Sequence, residues 1–87
     1  MPSVENMEMG LQPMDALLIA HELINNDLVS AVPPESGLTH KVVQKARKGR
    51  ALTSRAQRKV LGACNAALAT RGLPPVGQAE LFNYRGR

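Results

Sequence analysis

The sequence contains very few aromatic residues and a single cysteine. Phe82 and Tyr84 are the only aromatics among 87 residues, and both lie near the C-terminus. The core is therefore expected to be aliphatic. Because Cys64 has no second cysteine to pair with, an intramolecular disulfide and a cysteine-based metal cluster are excluded. Its apolar neighbours in the sequence predict a buried structural thiol rather than a reactive one.

Long apolar runs are also missing. No stretch reaches the length of a membrane span. The first ten residues carry acids and lack a basic n-region, so they do not resemble a secretion signal. We therefore expect a cytoplasmic protein with no membrane partner. The 87 residues suit one domain with a modest core, to which oligomerisation would add stability.

Acidic residues are absent from the middle of the chain. Four of the seven acids precede residue 23, whereas the segment 41–59 has eight basic residues and no acidic one. A basic segment beside an acidic one is the usual electrostatic pattern of a phosphate-binding face. The alternative is a solvated basic helix surface without a partner. The eight basic residues are Lys41, Lys45, Arg47, Lys48, Arg50, Arg55, Arg58 and Lys59.

Apolar spacing and proline positions predict two helices in the first half of the chain. Pro13 suits the first turn of a helix whose apolar residues recur at helical spacing as far as Asn25. A second, short helix is expected within 28–36, because Pro33 and Pro34 forbid a long one there. Residues 1–12 show no periodicity and are expected to form an arm.

Capping residues define two further helices. The third is predicted over 40–48, with Thr39 as its N-cap and Gly49 as its C-cap. The fourth, longest helix is predicted to start after Thr53 and to stop at Gly72. The fold class is therefore all-α: a compact four-helix domain over 13–72, with a C-terminal tail over 73–87 that could be a strand, an extended arm or a short helix. The residues expected to face the core from the fourth helix are Ala56, Val60, Cys64, Ala67 and Leu68, with Leu61 beside them.

The segment 37–50, GLTHKVVQKARKGR, carries the most informative motif. It places a turn glycine, an apolar residue and an N-cap before a short helix with one polar face, and ends in glycine and arginine. Here the chain resembles the helix-turn-helix DNA-binding domains of the lambda-repressor, Cro and LacI kind. The resemblance covers about residues 14–68 and is most specific over 37–60. It departs at Val32-Pro33-Pro34, where those families carry helix formers.

The resemblance implies a dimeric transcriptional repressor that inserts the helix over 39–48, the recognition helix, into the major groove of double-stranded DNA. Gln44 could pair bidentately with adenine, and Lys41 or Lys45 with guanine. The remaining basic residues would contact phosphates and fix the register on the duplex. The implied base-reading residues are Thr39, His40, Lys41, Gln44 and Lys45. The implied phosphate-binding residues are Arg47, Lys48, Arg50, Ser54, Arg55 and Arg58.

The aromatic tail has three interpretations. Phe82 and Tyr84 could pack on their own domain, dock across a two-fold axis, or stack on bases. We predict a homodimer contact formed by Leu81, Phe82 and Tyr84, because one small helical domain contacts too few bases to be selective.

Other functions compete with DNA binding. The two histidines, single cysteine and scattered acids provide no catalytic set or metal-ligand spacing, so no enzyme, cofactor or small-molecule effector is expected. His21 is expected to be partly buried, and His40 could be an idle surface residue. A protein-interaction module, such as an inhibitor from a phage or mobile element, is the main alternative. RNA binding is disfavoured because the basic segment lacks base-stacking aromatics.

Overall fold

The computed structural model describes residues 10–84, and within them the chain is helical with no β-strand. The all-α prediction is therefore confirmed, with five α-helices in place of four. The additional helix lies in the C-terminal segment, where the sequence left a strand, an arm and a short helix open. The elements are α1 (Pro13–Ala20), α2 (Asn25–Ser30), a 3₁₀ turn (Pro34–Ser36), α3 (His40–Lys48), α4 (Ser54–Thr70) and α5 (Gln78–Leu81).

The first half of the chain differs most from the sequence prediction. Helix α1 ends at Ala20 rather than running to Asn25, and Glu22 adopts a left-handed φ of 57°. Asn25 instead begins α2, because the Asp27 carboxylate accepts a 2.8 Å hydrogen bond from the backbone N–H of Ile24. Asn and Asp favour helix starts, since their side chains bond to free backbone donors. Residues expected to end one helix thus start the next.

Helices α3 and α4 begin where the sequence predicts. The Thr39 hydroxyl oxygen accepts from the Val42 N–H at 3.3 Å, and that of Thr53 accepts from the Ala56 N–H at 3.0 Å. At the end of α3, Gly49 has a φ of 88°. A Cβ on Gly49 would also lie 1.8 Å from the carbonyl oxygen of Gly10. Glycine is therefore required at this C-cap by conformation and by close packing.

Helix α4 contacts α2, α3 and α5, and its inner face supplies the largest share of the core. The predicted burial of Cys64 is confirmed, and burial raises the pKa of its thiol to about 11. Ala56 and Leu61 are only half-buried, whereas Gln57 is buried. The core consists of Met14, Leu18, Leu23, Leu28, Leu38, Val43, Ala46, Leu52, Val60, Ala63, Cys64, Ala67, Leu68, Leu81 and Phe82.

The C-terminal segment packs on its own domain. Leu81 and Phe82 are 0% and 3% exposed, so they fill the core of a single chain in place of the predicted dimer contact. The half-buried Tyr84 stacks edge-on against Phe82 at 5.9 Å, and its hydroxyl accepts from the Leu52 N–H and donates to the Arg50 carbonyl. Of the three interpretations of the aromatic tail, these contacts agree with the first, in which Phe82 and Tyr84 pack on their own domain.

Two buried glutamines attach this segment to the rest of the fold. The Oε1 of Gln12 accepts a 2.8 Å bond from the Asn83 N–H. The Oε1 of Gln57 accepts a 2.6 Å bond from Gln78, and its Nε2 donates to the Tyr84 carbonyl. Gln12 belongs to the predicted arm but is 2% exposed, which corrects that prediction at this residue. Residues 1–9 of the arm lie outside the described part of the chain.

Candidate nucleic-acid interface

Helix α3 has one buried face and one exposed polar face. Val43 and Ala46 are fully buried, and the helix packs against α1, α2 and α4. Its sequence contains no acidic residue. The buried face of α3 therefore packs against three helices, and its opposite face is exposed to solvent. The exposed face carries His40, Lys41, Gln44, Lys45 and Lys48.

All five predicted base-reading residues are exposed on α3 or at its start. Spacings of three and four residues from Lys41 bring Gln44 and Lys45 onto the same face of the helix. His40 is the first residue of the helix, and Thr39 precedes it as the N-cap. The Thr39 oxygen is engaged with the Val42 N–H, which leaves its hydroxyl hydrogen to donate.

A shallow groove of about 280 Å³ lies along this face. Its lining residues in the described part of the chain are Lys41, Gln44, Lys45, Lys48 and Arg50, which are four cations and one neutral amide. The backbone of Arg50 is fixed by the bond from the Tyr84 hydroxyl, 2.9 Å long, to its carbonyl. Part of this charge also has a purely structural use, because cations in the last turn of α3 interact favourably with the helix dipole.

Arg47 does not belong to the exposed face, contrary to its predicted phosphate-binding role. Its Nε donates to Asp15 Oδ1 at 2.6 Å, and its Nη1 donates to Asn25 Oδ1 at 2.8 Å. The Arg47 side chain is 18% exposed. The guanidinium therefore fastens α3 to α1 and α2, because two good acceptors reach it from those helices.

Asn25 belongs to the site, although no sequence pattern indicated it. Its Nδ2 donates a 2.9 Å hydrogen bond to Oε1 of Gln44, which is 19 residues away in the sequence. Asn25 was expected only to end a helix. No local signal could have revealed this contact, because it depends on how α2 packs against α3.

The start of α4 adds further cations. Arg55 and Arg58 are exposed and Ser54 is half-buried, and Arg58 lies four residues after Ser54 and three after Arg55, which places the three on one side of the helix. Lys59 lies beside the turn that precedes α3, since its Nζ is 3.6 Å from the position of a Cβ on Gly37. Lys59 belongs to the basic segment, but the sequence predicted no contact for it.

No group of three His, Cys, Asp or Glu side chains within residues 10–84 is placed to hold a metal ion. Because burial raises the pKa of Cys64, its thiol stays protonated near neutral pH and is a poor nucleophile. His21 is half-buried, as expected. Over the same residues, no helix is both long and apolar enough to cross a lipid bilayer.

Comparison with models of known families, with curated proteins and with solved structures finds no match for this chain. The interpretation of the interface therefore rests on its own geometry and charge.

Proposed function

We propose that the protein binds double-stranded DNA by placing α3 in the major groove. The observation that supports this is the exposed face of α3, which presents three lysines, a histidine and a glutamine. An α-helix fits the major groove, where base edges offer hydrogen-bond donors and acceptors. Long polar side chains on a firmly packed short helix suit that groove. The proposed base-reading residues remain Thr39, His40, Lys41, Gln44 and Lys45.

The flanking cations would contact the DNA backbone. Lys48 and Arg50 continue the groove beyond α3, and Arg55 and Arg58 extend the positive surface onto α4. Ser54 stands at the N-terminus of that helix, where backbone N–H groups favour a phosphate. Such contacts give affinity that falls with salt and fix orientation without reading sequence. Arg47 is removed from this set because of its bonds to Asp15 and Asn25.

We further propose that the protein acts as a homodimeric repressor. One nine-residue helix contacts few base pairs, and a two-fold dimer would double the contacts at half-sites about one helical turn apart. Since Leu81 and Phe82 are buried within one chain, the dimer contact would involve other surfaces. Covering a promoter would then repress transcription without a cofactor or small-molecule effector.

Selection of random duplex DNA by the purified protein, at near-physiological salt, tests the proposal. We expect an enriched inverted repeat, which the double variant Lys41→Ala/Lys45→Ala should bind at least tenfold more weakly, because two groove lysines are lost. Arg71→Gln is the control for the loss of a single charge away from α3, since it removes one cation at the C-cap of α4, and it is compared with Lys41→Ala and Lys45→Ala taken singly. Thermal unfolding would verify that these variants fold. Unchanged affinity of the double variant would refute the assignment of α3.

A protein-interaction module is the second candidate. Among residues 10–84, three large apolar side chains are exposed, all before residue 25: Leu11 at 70%, Ile19 at 62% and Ile24 at 61%. If selection enriches no sequence and the lysine variants behave as the wild type, this candidate is favoured. Substituting Ile19 and Ile24 by serine should then weaken binding to the protein partner without unfolding the chain.

A further inference from the structure

A chain of hydrogen bonds runs from α1 to the exposed face of α3. Asp15 Oδ1 accepts from Arg47 Nε at 2.6 Å, Asn25 Oδ1 accepts from Arg47 Nη1 at 2.8 Å, and Asn25 Nδ2 donates to Gln44 Oε1 at 2.9 Å. We call these four residues the polar relay. Its inner end is anchored by an ion pair whose two side chains are 18% and 22% exposed. Its outer end is the Gln44 carboxamide, which lines the basic groove.

The direction of every bond in the polar relay is fixed by chemistry. A guanidinium can only donate, so the Asn25 atom that faces Arg47 must be the carbonyl oxygen. The Asn25 amide nitrogen then faces Gln44, and because that nitrogen also only donates, it must meet the Gln44 oxygen. Turning either amide around would place two donors face to face.

The consequence lies at Gln44. A free glutamine can rotate its carboxamide and offer either its oxygen or its NH₂ group to a base. In the polar relay the Gln44 Oε1 is engaged by Asn25, so the two N–H donors of Nε2 are left for a ligand. The bidentate pairing with adenine expected from the sequence uses both groups, one as acceptor and one as donor. That pairing would have to share Oε1 with Asn25, whose bond fixes the direction in which this oxygen points.

We propose that Asn25 is a specificity-determining positioning residue, which holds Gln44 as a hydrogen-bond donor toward DNA. This inference rests on the proposed function of α3. In the major groove, guanine presents two acceptors, N7 and O6, whereas cytosine presents only its N4 donor. Gln44 therefore selects guanine over cytosine at the base pair that it contacts, and adenine loses part of the advantage that a freely rotating glutamine would give it.

The variant Asn25→Asp reverses the direction of the hydrogen bond between residue 25 and Gln44, at the outer end of the polar relay. The carboxylate still accepts from Arg47 but cannot donate, so Gln44 must turn its NH₂ group inward and present Oε1 to the groove. The base preference should then change by about tenfold, toward adenine or cytosine, which carry exocyclic amino donors. Asn26→Asp is the matched control, because it adds the same charge on the same exposed turn of α2 and should keep the wild-type preference.

The decisive DNA measurement is affinity for a set of duplexes that differ only at the base pair contacted by Gln44, located by crosslinking or by the loss of selectivity in Gln44→Ala. A lower overall affinity from the added charge does not affect this comparison, since only the ratio between bases is used. Should Asn25→Asp fail to fold, Asn25→Ala serves instead and should reduce the guanine-to-cytosine ratio about tenfold. If Asn25→Asp and Asn26→Asp show the same base ratios as wild type, the proposal is overturned.

Side-chain amide NMR of the free protein tests the polar relay independently of the proposed DNA binding. In the wild type one N–H of Asn25 should exchange slowly with solvent while both of Gln44 exchange rapidly, and Asn25→Asp should slow the exchange of a Gln44 N–H. This pattern without sequence-specific DNA binding would support the polar relay and reject the proposed function. Sequence-specific binding with rapid exchange at Asn25 would support the function and reject the relay.

Discussion

Helices α1 and α3 are similar in length and bury the same number of side chains, yet they differ in what they show to solvent. Helix α1 buries Met14 and Leu18, and α3 buries Val43 and Ala46. The outer face of α1 is apolar, with Ile19 62% exposed, while that of α3 is basic and polar. Burial therefore holds both helices in place, whereas of the two only α3 carries a surface suited to an anion.

The two helices also differ in how they end. Helix α3 has a threonine side-chain cap at its start and a left-handed glycine at its end, whereas α1 has no side-chain cap bond and its C-cap is His21. The bounds of α3 are therefore encoded locally. The start of α1 at Pro13 is also encoded locally, whereas its end is followed within a few residues by the Asp27 capping bond at which α2 begins.

The largest expected effect separates the two faces of α1. Leu18→Ala should lower the free energy of unfolding by about 2–5 kcal/mol, because Leu18 is fully buried and a cavity would remain. Ile19→Ser, one position along, should change it by less than about 0.5 kcal/mol. Urea unfolding of both variants measures the difference. If Ile19→Ser lowered the free energy of unfolding as much as Leu18→Ala does, the outer face of α1 would be covered in solution.

The next effect tests the end of α3. Gly49→Ala should destabilise the protein by about 2 kcal/mol or more, because alanine is strained at a φ of 88° and its Cβ would collide with the Gly10 carbonyl. Gly62→Ala is the matched control within α4, where a Cβ meets nothing within 4 Å. It should increase stability by up to about 1 kcal/mol. Thermal unfolding of both variants measures the difference. Equal stabilities would contradict the requirement for glycine at position 49.

The smallest expected effect compares two threonine caps. Thr39→Ala and Thr53→Ala should each cost about 1 kcal/mol, because each removes one capping acceptor. Only Thr39 adjoins the proposed base-reading face. Thr39→Ala should therefore also reduce the selectivity of DNA binding, while Thr53→Ala should not. Parallel unfolding and binding titrations check this, and equal selectivity of the two variants would remove Thr39 from the base-reading set.

Sequence patterns predicted features that are encoded within a few residues. The capping residues Thr39, Gly49 and Thr53 fixed where α3 and α4 begin or end, and helical spacing placed Val60 and Cys64 in the core. Four basic residues of the groove were recognised from charge alone. These signals depend only on residues that are close in the sequence, so they can be recognised without knowing how the helices pack.

The errors involve contacts between residues that are distant in the sequence. Arg47 has the same charge as Lys48, but only the fold reveals that Asp15 lies 2.6 Å from its Nε. Phe82 was predicted at a dimer contact because nothing in the sequence indicated how much space the core left for it. Gln57 is polar yet buried, since Gln78 and Tyr84 satisfy its amide from the C-terminal segment. These outcomes are set by tertiary packing.

The hydrogen bond between Gln12 and Asn83 has a consequence for folding kinetics. It joins residues 71 positions apart, so it brings the two ends of the described chain together. Contacts of such long range carry the largest loop-closure entropy and tend to form after local ones. We expect α5 to dock last and to detach first, and amide hydrogens at Asn83 should exchange faster than those in the middle of α4.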